Sequence, residues 1–158
     1  MPKHPSDSDI QRKVEAHLRA RLEAGELIGA PLSLCALEEV KFDGFNREQR
    51  VIVEIISRIG STSSSRDDKV MSDAMKMLYF EKQSGQTWQK FIVTNDDEFA
   101  SKFIVTPGRA RNRWQAKALS AFGIEVRTLK LSDELIQEIL EAQARQADGI
   151  NSKKAYGM

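Results

Sequence analysis

An α/β fold, a mixed four-stranded sheet sandwiched by helices, is predicted by three observations. Runs that read as strands recur at "LCALEEVKFDGF", "QRVIVEIISRIG", "WQKFIVTN" and "IEVRTLKL". The segments between the later runs carry apolar residues at helical spacing. Strands that come first as a hairpin and then alternate with helices give a mixed sheet, with right-handed crossovers in its parallel part. The predicted order is α-β-β-α-β-α-β-α.

Residues 1–8 are polar with two prolines, a frayed tail. In "SDIQRKVEAHLRARLEAGE", Ser8 or Asp9 can cap a helix whose Ile10, Val14, His17, Leu18 and Leu22 follow helical spacing up to Gly25. His17 reads as a half-buried packing residue. In the first strand Leu37, Glu39, Lys41 and Asp43 share one face, with Ala36, Glu38, Val40 and Phe42 on the other. "GFNRE" supplies a turn, so residues 35–59 read as a hairpin. After the polar loop "STSSSRDD", the helix "DKVMSDAMKMLYFEKQ" runs to Ser84-Gly85, its Met71, Met75 and Leu78, with Val70, Ala74 and Met77, reading as core packing. A strand, a short helical turn in "DDEFASKF" and a break at Pro107-Gly108 follow. The helix "ARNRWQAKALSAFG" ends at Gly123, and a last strand precedes the terminal helix "SDELIQEILEAQARQ". Residues 9–147 form one domain, with 1–8 and 148–158 as flexible tails.

With 158 residues, 41% hydrophobic and 30% charged, the chain suits a single soluble domain. Balanced charge, 24 Lys+Arg against 23 Asp+Glu, argues against wholesale attachment to nucleic acid or membrane and leaves room for local patches. The single cysteine, Cys35, excludes a disulfide framework within the chain and a multi-cysteine zinc site, and reads as a small core residue. "MPKHPSDSD" lacks the apolar stretch of a signal peptide and no run approaches a membrane span, so a cytoplasmic protein is expected. Walker, dinucleotide, His-Glu-x-x-His and Gly-x-Ser-x-Gly motifs are missing, and two histidines, His4 and His17, make a Ser-His-Asp triad improbable. Chemistry, if present, runs on carboxylates, lysines and arginines.

Glu54 concentrates that chemistry, because it interrupts the apolar run "VIVEII". With the turn centred between Asn46 and Arg47, Glu39 lies opposite Glu54 and Asp43 falls one pleat pair closer to the turn on the same face. Acidic groups so gathered repel one another unless a proton or cation neutralises them, and Mg²⁺ selects such hard oxygen ligands. The alternative is a structural ion pair of Glu54 with Lys41 or Arg50.

The order of elements, "KFDGF" and "VIVEI" together resemble the restriction-endonuclease-like PD-(D/E)XK nucleases over roughly residues 9–131. That family's core runs α-β-β-β-α-β. The resemblance implies Asp43 and Glu54 as metal ligands, with Glu39 as an accessory ligand. It further implies Mg²⁺ as cofactor (Mn²⁺ substituting) and DNA as substrate, in restriction, defence or repair. A homodimer or a subunit of a larger complex is the expected assembly. Ile56 stands where the family places its lysine. Lys69 is the relocated candidate, sharing a helix face with Asp73 and Lys76; a solvated charged face explains that grouping equally. Arg58 points to the side of Glu54 about 13 Å along the strand, and with Lys41 is a weaker substitute. The other reading of Ile56 is a catalytically degenerate module that binds nucleic acid or a protein partner.

For DNA docking, "TPGRARNRWQAK" offers Arg109, Arg111, Arg113 and Lys117 around a helix start, with Trp114 to stack on a base. Alternatively Trp114 packs inward with Ala118 and Phe122. Arg66 and Lys69 form a second possible phosphate contact. A third function class makes the chain a structural partner, with Leu135, Ile136, Ile139, Leu140 and Ala144 of the terminal helix as its interface.

Overall fold

The structure, a computed structural model, describes residues 7–37, 40–57, 64–141 and 144. It is α/β with a mixed sheet. The elements are α1 (Asp7–Glu23), β1 (Ser33–Leu37), β2 (Val40–Asn46), β3 (Val51–Ile56), α2 (Ser64–Ser84), β4 (Gln89–Thr94), α3 (Asp97–Ser101), α4 (Trp114–Ala121) and β5 (Ile124–Thr128), with residues 133–141 helical thereafter. The sheet order is β1-β2-β3-β4-β5. Strand β2 runs antiparallel to both its neighbours, β1 and β3, and β3, β4 and β5 run parallel.

The predicted four strands are therefore five. The run "LCALEEVKFDGF" is two strands, with Leu37 paired to Val40 and residues 38–39 between them. Two-residue hairpin loops favour Asn-Gly or Asp-Gly. Glu38-Glu39 carries no such mark, so alternation continues unbroken through the reversal.

The second turn also differs. Asn46 pairs with Val51, leaving residues 47–50 as the loop. Asn46 Oδ1 accepts the Gln49 N–H at 2.9 Å and Arg50 sits at φ 53°, which closes the turn later than expected. The shift is even, so side chains keep their faces. It changes the partners: Gly44 is paired with Val53, and one further step brings Asp43, not Glu39, level with Glu54.

A β-bulge shapes this point. Between the pairs Ser33–Phe45 and Cys35–Phe42, β1 has one residue and β2 has two, Asp43 and Gly44. The extra residue places Phe42 and Phe45 in the same core cluster, which unbroken alternation forbids. Gly44 is closely packed: a Cβ there would stand 3.2 Å from Val53 Cβ, so that neighbour would have to give by a few tenths of an ångström, and in ordinary contact with Leu22 and Leu32.

Strand β3 is buried at every position, as a central strand covered on both faces must be. Ile52 and Ile56 join Val70, Ala74 and Met77 of α2, Phe99 of α3 and Leu119 of α4 on one face. Both crossovers thus lie on one side, as successive like-handed crossovers do. Val51, Val53 and Ile55 meet Val14, Leu18 and Leu22 of α1, and Leu135 and Ile139, on the other. Of the expected methionine stripe, Met77 is fully buried and Met71 packs at the margin, whereas Met75 is 67% exposed. Of the proposed terminal-helix interface, Leu135 and Ile139 are core, while Ile136, Leu140 and Ala144 are exposed. His17 is half-buried, as expected. Among the described residues, no helix is long and apolar enough to cross a membrane.

Candidate active site

The bulge and the end of the β2–β3 ladder open a cavity of about 400 Å³ between α1 and α2. Glu15 and Arg19 reach it from α1, Lys41 and Asp43 from β2, Glu54 from β3, and Lys69 and Lys76 from α2. Asp43 is held there by a backbone donor: its Oδ2 accepts the Ile55 N–H at 2.9 Å. Its Oδ1 lies 3.3 Å from an Arg19 terminal nitrogen.

Glu54 has a side chain only 4% exposed, with Lys76 Nζ 2.8 Å from its Oε1. That approach has the distance of an ion pair without the direction of a hydrogen bond. The oxygen therefore has no hydrogen-bond partner among the described residues. Burial, then the Asp43 charge, pushes the Glu54 carboxyl from 4.5 up to about 8; Asp73 adds to the rise and Lys76 opposes it. Asp73 is likewise buried, and burial raises its pKa against the pull of Lys69 and Lys76. Lys69 Nζ stands 3.3 Å from both Asp73 oxygens.

Asp43, Glu54 and Lys69 therefore line one cavity, but the cation at Glu54 is Lys76, two helical turns beyond Lys69. Lys76 is anchored by the Lys41 carbonyl at 2.9 Å and lies over the Phe42 ring. Ile56 is fully buried in the cluster under α2. Glu54 pairs with neither Lys41 nor Arg50, the structural partners that spacing offered. Glu39 lies outside the described residues. Glu15 and Arg19 carry no local signature of a site, because the sequence does not fix which turn of α1 crosses β3. Their spacing of four, beside the Val14–Leu18–Leu22 stripe, is the trace they leave.

Asp43 and Glu54 both line this cavity and offer the hard oxygen atoms a divalent cation takes. Among the described residues no cage of three or more His, Cys, Asp or Glu exists.

The expected docking residues separate into groups. Arg109 and Arg111 are exposed in the segment before α4, which starts at Trp114 rather than near Ala110. Asn112 explains the late start: its side chain bonds both the N–H and the carbonyl of Thr106, tying that segment into a closed loop. Lys117 is exposed on α4, and Trp114 is 66% exposed, with Phe122 also exposed, so Trp114 does not pack inward. Arg113 instead serves the fold, bonding Asp67 at 3.2 Å and standing over the Phe103 ring. Arg66 lies in the first turn of α2, its side chain outside the description, and Arg58 lies outside the described residues.

Comparison with protein-family models, with curated proteins and with solved structures found no match, so the site is read from its own geometry.

Proposed function

We propose that this chain is a Mg²⁺-dependent nuclease of the PD-(D/E)XK type that hydrolyses DNA phosphodiester bonds, in restriction, defence or repair. The observation that carries the reading is the meeting of Asp43, Glu54 and Lys76 in one cavity at the point where β2 leaves β3. The order α1-β1-β2-β3-α2-β4 supports it, being the order of the core that the resemblance implies.

Asp43 and Glu54 would hold the metal, which when bound supplies Lewis-acid stabilisation of phosphoryl charge and a more acidic water. The chain's own contributions follow from its geometry. The Ile55 N–H fixes the orientation of Asp43. The walls of β3 hold Glu54 in a dry environment, where charge interactions gain strength. Lys76 presents a fixed cation where negative charge develops on the phosphorane, the role that Ile56 cannot fill. Lys69 is held by Asp73 at the cavity margin and is an accessory cation. Arg109, Arg111, Lys117 and Trp114 form the outlying surface for DNA phosphates and bases.

A degenerate binding module is the second reading, favoured by one observation: the three buried or half-buried acids Asp43, Glu54 and Asp73 each already face a cation. Incubation of supercoiled plasmid and single-stranded DNA with Mg²⁺ or Mn²⁺ separates the two. Cleavage by the wild type that disappears in Glu54→Ala is expected. A wild type that shifts DNA on a gel and cuts none gives the case to the binding module.

A further inference from the structure

The two cations facing Asp43 and Glu54 are held very differently. Lys76 Nζ is fixed by Glu54 Oε1 at 2.8 Å, the Lys41 carbonyl at 2.9 Å and the Phe42 ring 5.3 Å away. Arg19 reaches Asp43 through one contact of 3.3 Å, longer than the roughly 2.7–2.9 Å of a strong charge-assisted bond. Its Nε is buried and has no hydrogen-bond partner among the described residues. A guanidinium is a fork whose adjacent nitrogens match two oxygens of a phosphate, and here one prong is unused. Glu15, one turn earlier on α1, has its Oε1 engaged by the Ser57 hydroxyl at 3.2 Å. Asp43 does not depend on Arg19 for its orientation, because the Ile55 N–H holds its other oxygen.

We propose that Arg19 is a phosphate-binding residue, resting on Asp43 when the cavity is empty of nucleic acid and moving to a non-bridging phosphodiester oxygen when it is filled. The assignment rests on the nuclease reading and adds a regulation to it. The Asp43 oxygen that Arg19 leaves becomes open to a divalent cation. Phosphate and metal therefore strengthen each other's binding, and by linkage each does so by the same factor. Lys76, anchored at three points, does not move. Arg19 thus stays on Asp43 until substrate arrives, which limits metal capture by the free protein.

The test titrates Ca²⁺, which takes the same oxygen ligands, and a short DNA duplex against wild type, Arg19→Gln and Arg19→Lys by calorimetry. In wild type, Ca²⁺ is expected to bind on the order of tenfold more tightly with the duplex than without, and the duplex to gain equally from Ca²⁺. Arg19→Gln is expected to bind the duplex more weakly, to bind Ca²⁺ more tightly than wild type when DNA is absent, and to lose the coupling. Arg19→Lys keeps the charge but not the fork, and is expected to retain part of the coupling. Wild-type coupling in a folded Arg19→Gln, or wild-type duplex affinity in Arg19→Lys, overturns the assignment and leaves the nuclease reading standing. A wild type that binds neither Ca²⁺ nor duplex removes both.

Discussion

Two glutamate–lysine pairs join α2 to the sheet, and they have opposite characters. Glu81 of α2 meets Lys90 of β4 at 2.6 Å, and the same oxygen accepts the Trp88 N–H at 2.8 Å. Lys90 Nζ also donates to the Trp88 carbonyl. Burial pushes Glu81 up, but the bonds from Lys90 and Trp88 and the Lys90 charge outweigh it, and its pKa falls below 4.5. Glu54 of β3 meets Lys76 of α2 at a similar distance, 2.8 Å, yet its carboxyl rises to about 8. The difference lies in the company: Glu81 has directed donors, whereas Glu54 is deeper and faces Asp43 and Asp73. A buried ion pair with its hydrogen bonds complete belongs to the fold. One left frustrated beside like charges is the kind found at functional sites.

The largest effect expected is on catalysis. Glu54→Gln should lower DNA cleavage by roughly 100-fold or more in steady-state assays. Its stability effect has a defined sign. Between 4.5 and about 8 the folded wild type keeps a proton on Glu54 that the unfolded chain loses, so wild-type stability falls as pH rises through that window. Glu54→Gln abolishes that slope, and urea unfolding should show it gaining on wild type as pH rises and matching it below the window.

Glu81→Gln should do the reverse. It leaves Lys90, with a side chain 4% exposed, without its counter-charge. Loss of about 3 kcal/mol in urea unfolding is expected, with cleavage per folded molecule unchanged. Lys76→Met and Lys69→Met sharpen the comparison within α2: the first should reduce kcat about tenfold more than the second, a gap of about 1.4 kcal/mol. The smallest effects lie on the surface. Arg109→Ala and Arg111→Ala should each reduce the salt dependence of DNA binding by about one phosphate contact. Arg113→Ala should instead lower the melting temperature, because its guanidinium bonds Asp67.

What the sequence made legible was periodic. The apolar run around Glu54, the helix after it and the parallel strands on either side of α4 were all readable from spacing. The meeting of Asp43 and Glu54 in one cavity was readable because a register shift of even length preserves faces. The reversal between the paired residues Leu37 and Val40 was not, since the intervening sequence carries none of the usual turn residues. The bulge at Asp43-Gly44 was hidden because Gly44 and Phe45 read as the start of the turn, so the three-residue spacing from Phe42 to Phe45 passed for the end of the strand. Lys76 and Lys69 share a helix face, so choosing between them depends on how the chain crosses from Ser57 to Ser64, where no pattern sets the register. Arg19 and Glu15 depend on the placement of α1 against β3, which is a tertiary fact.

The most direct measurement is the change in melting temperature on adding Mn²⁺ to wild type, Glu54→Gln and Glu81→Gln, each already mixed with a short DNA duplex. A cation that binds the folded state raises its melting temperature by mass action. A rise is predicted for wild type and Glu81→Gln, and none for Glu54→Gln. A wild type that Mn²⁺ leaves unmoved, or a rise that persists in Glu54→Gln, would contradict the assignment of Glu54 as the functional acid of this sheet.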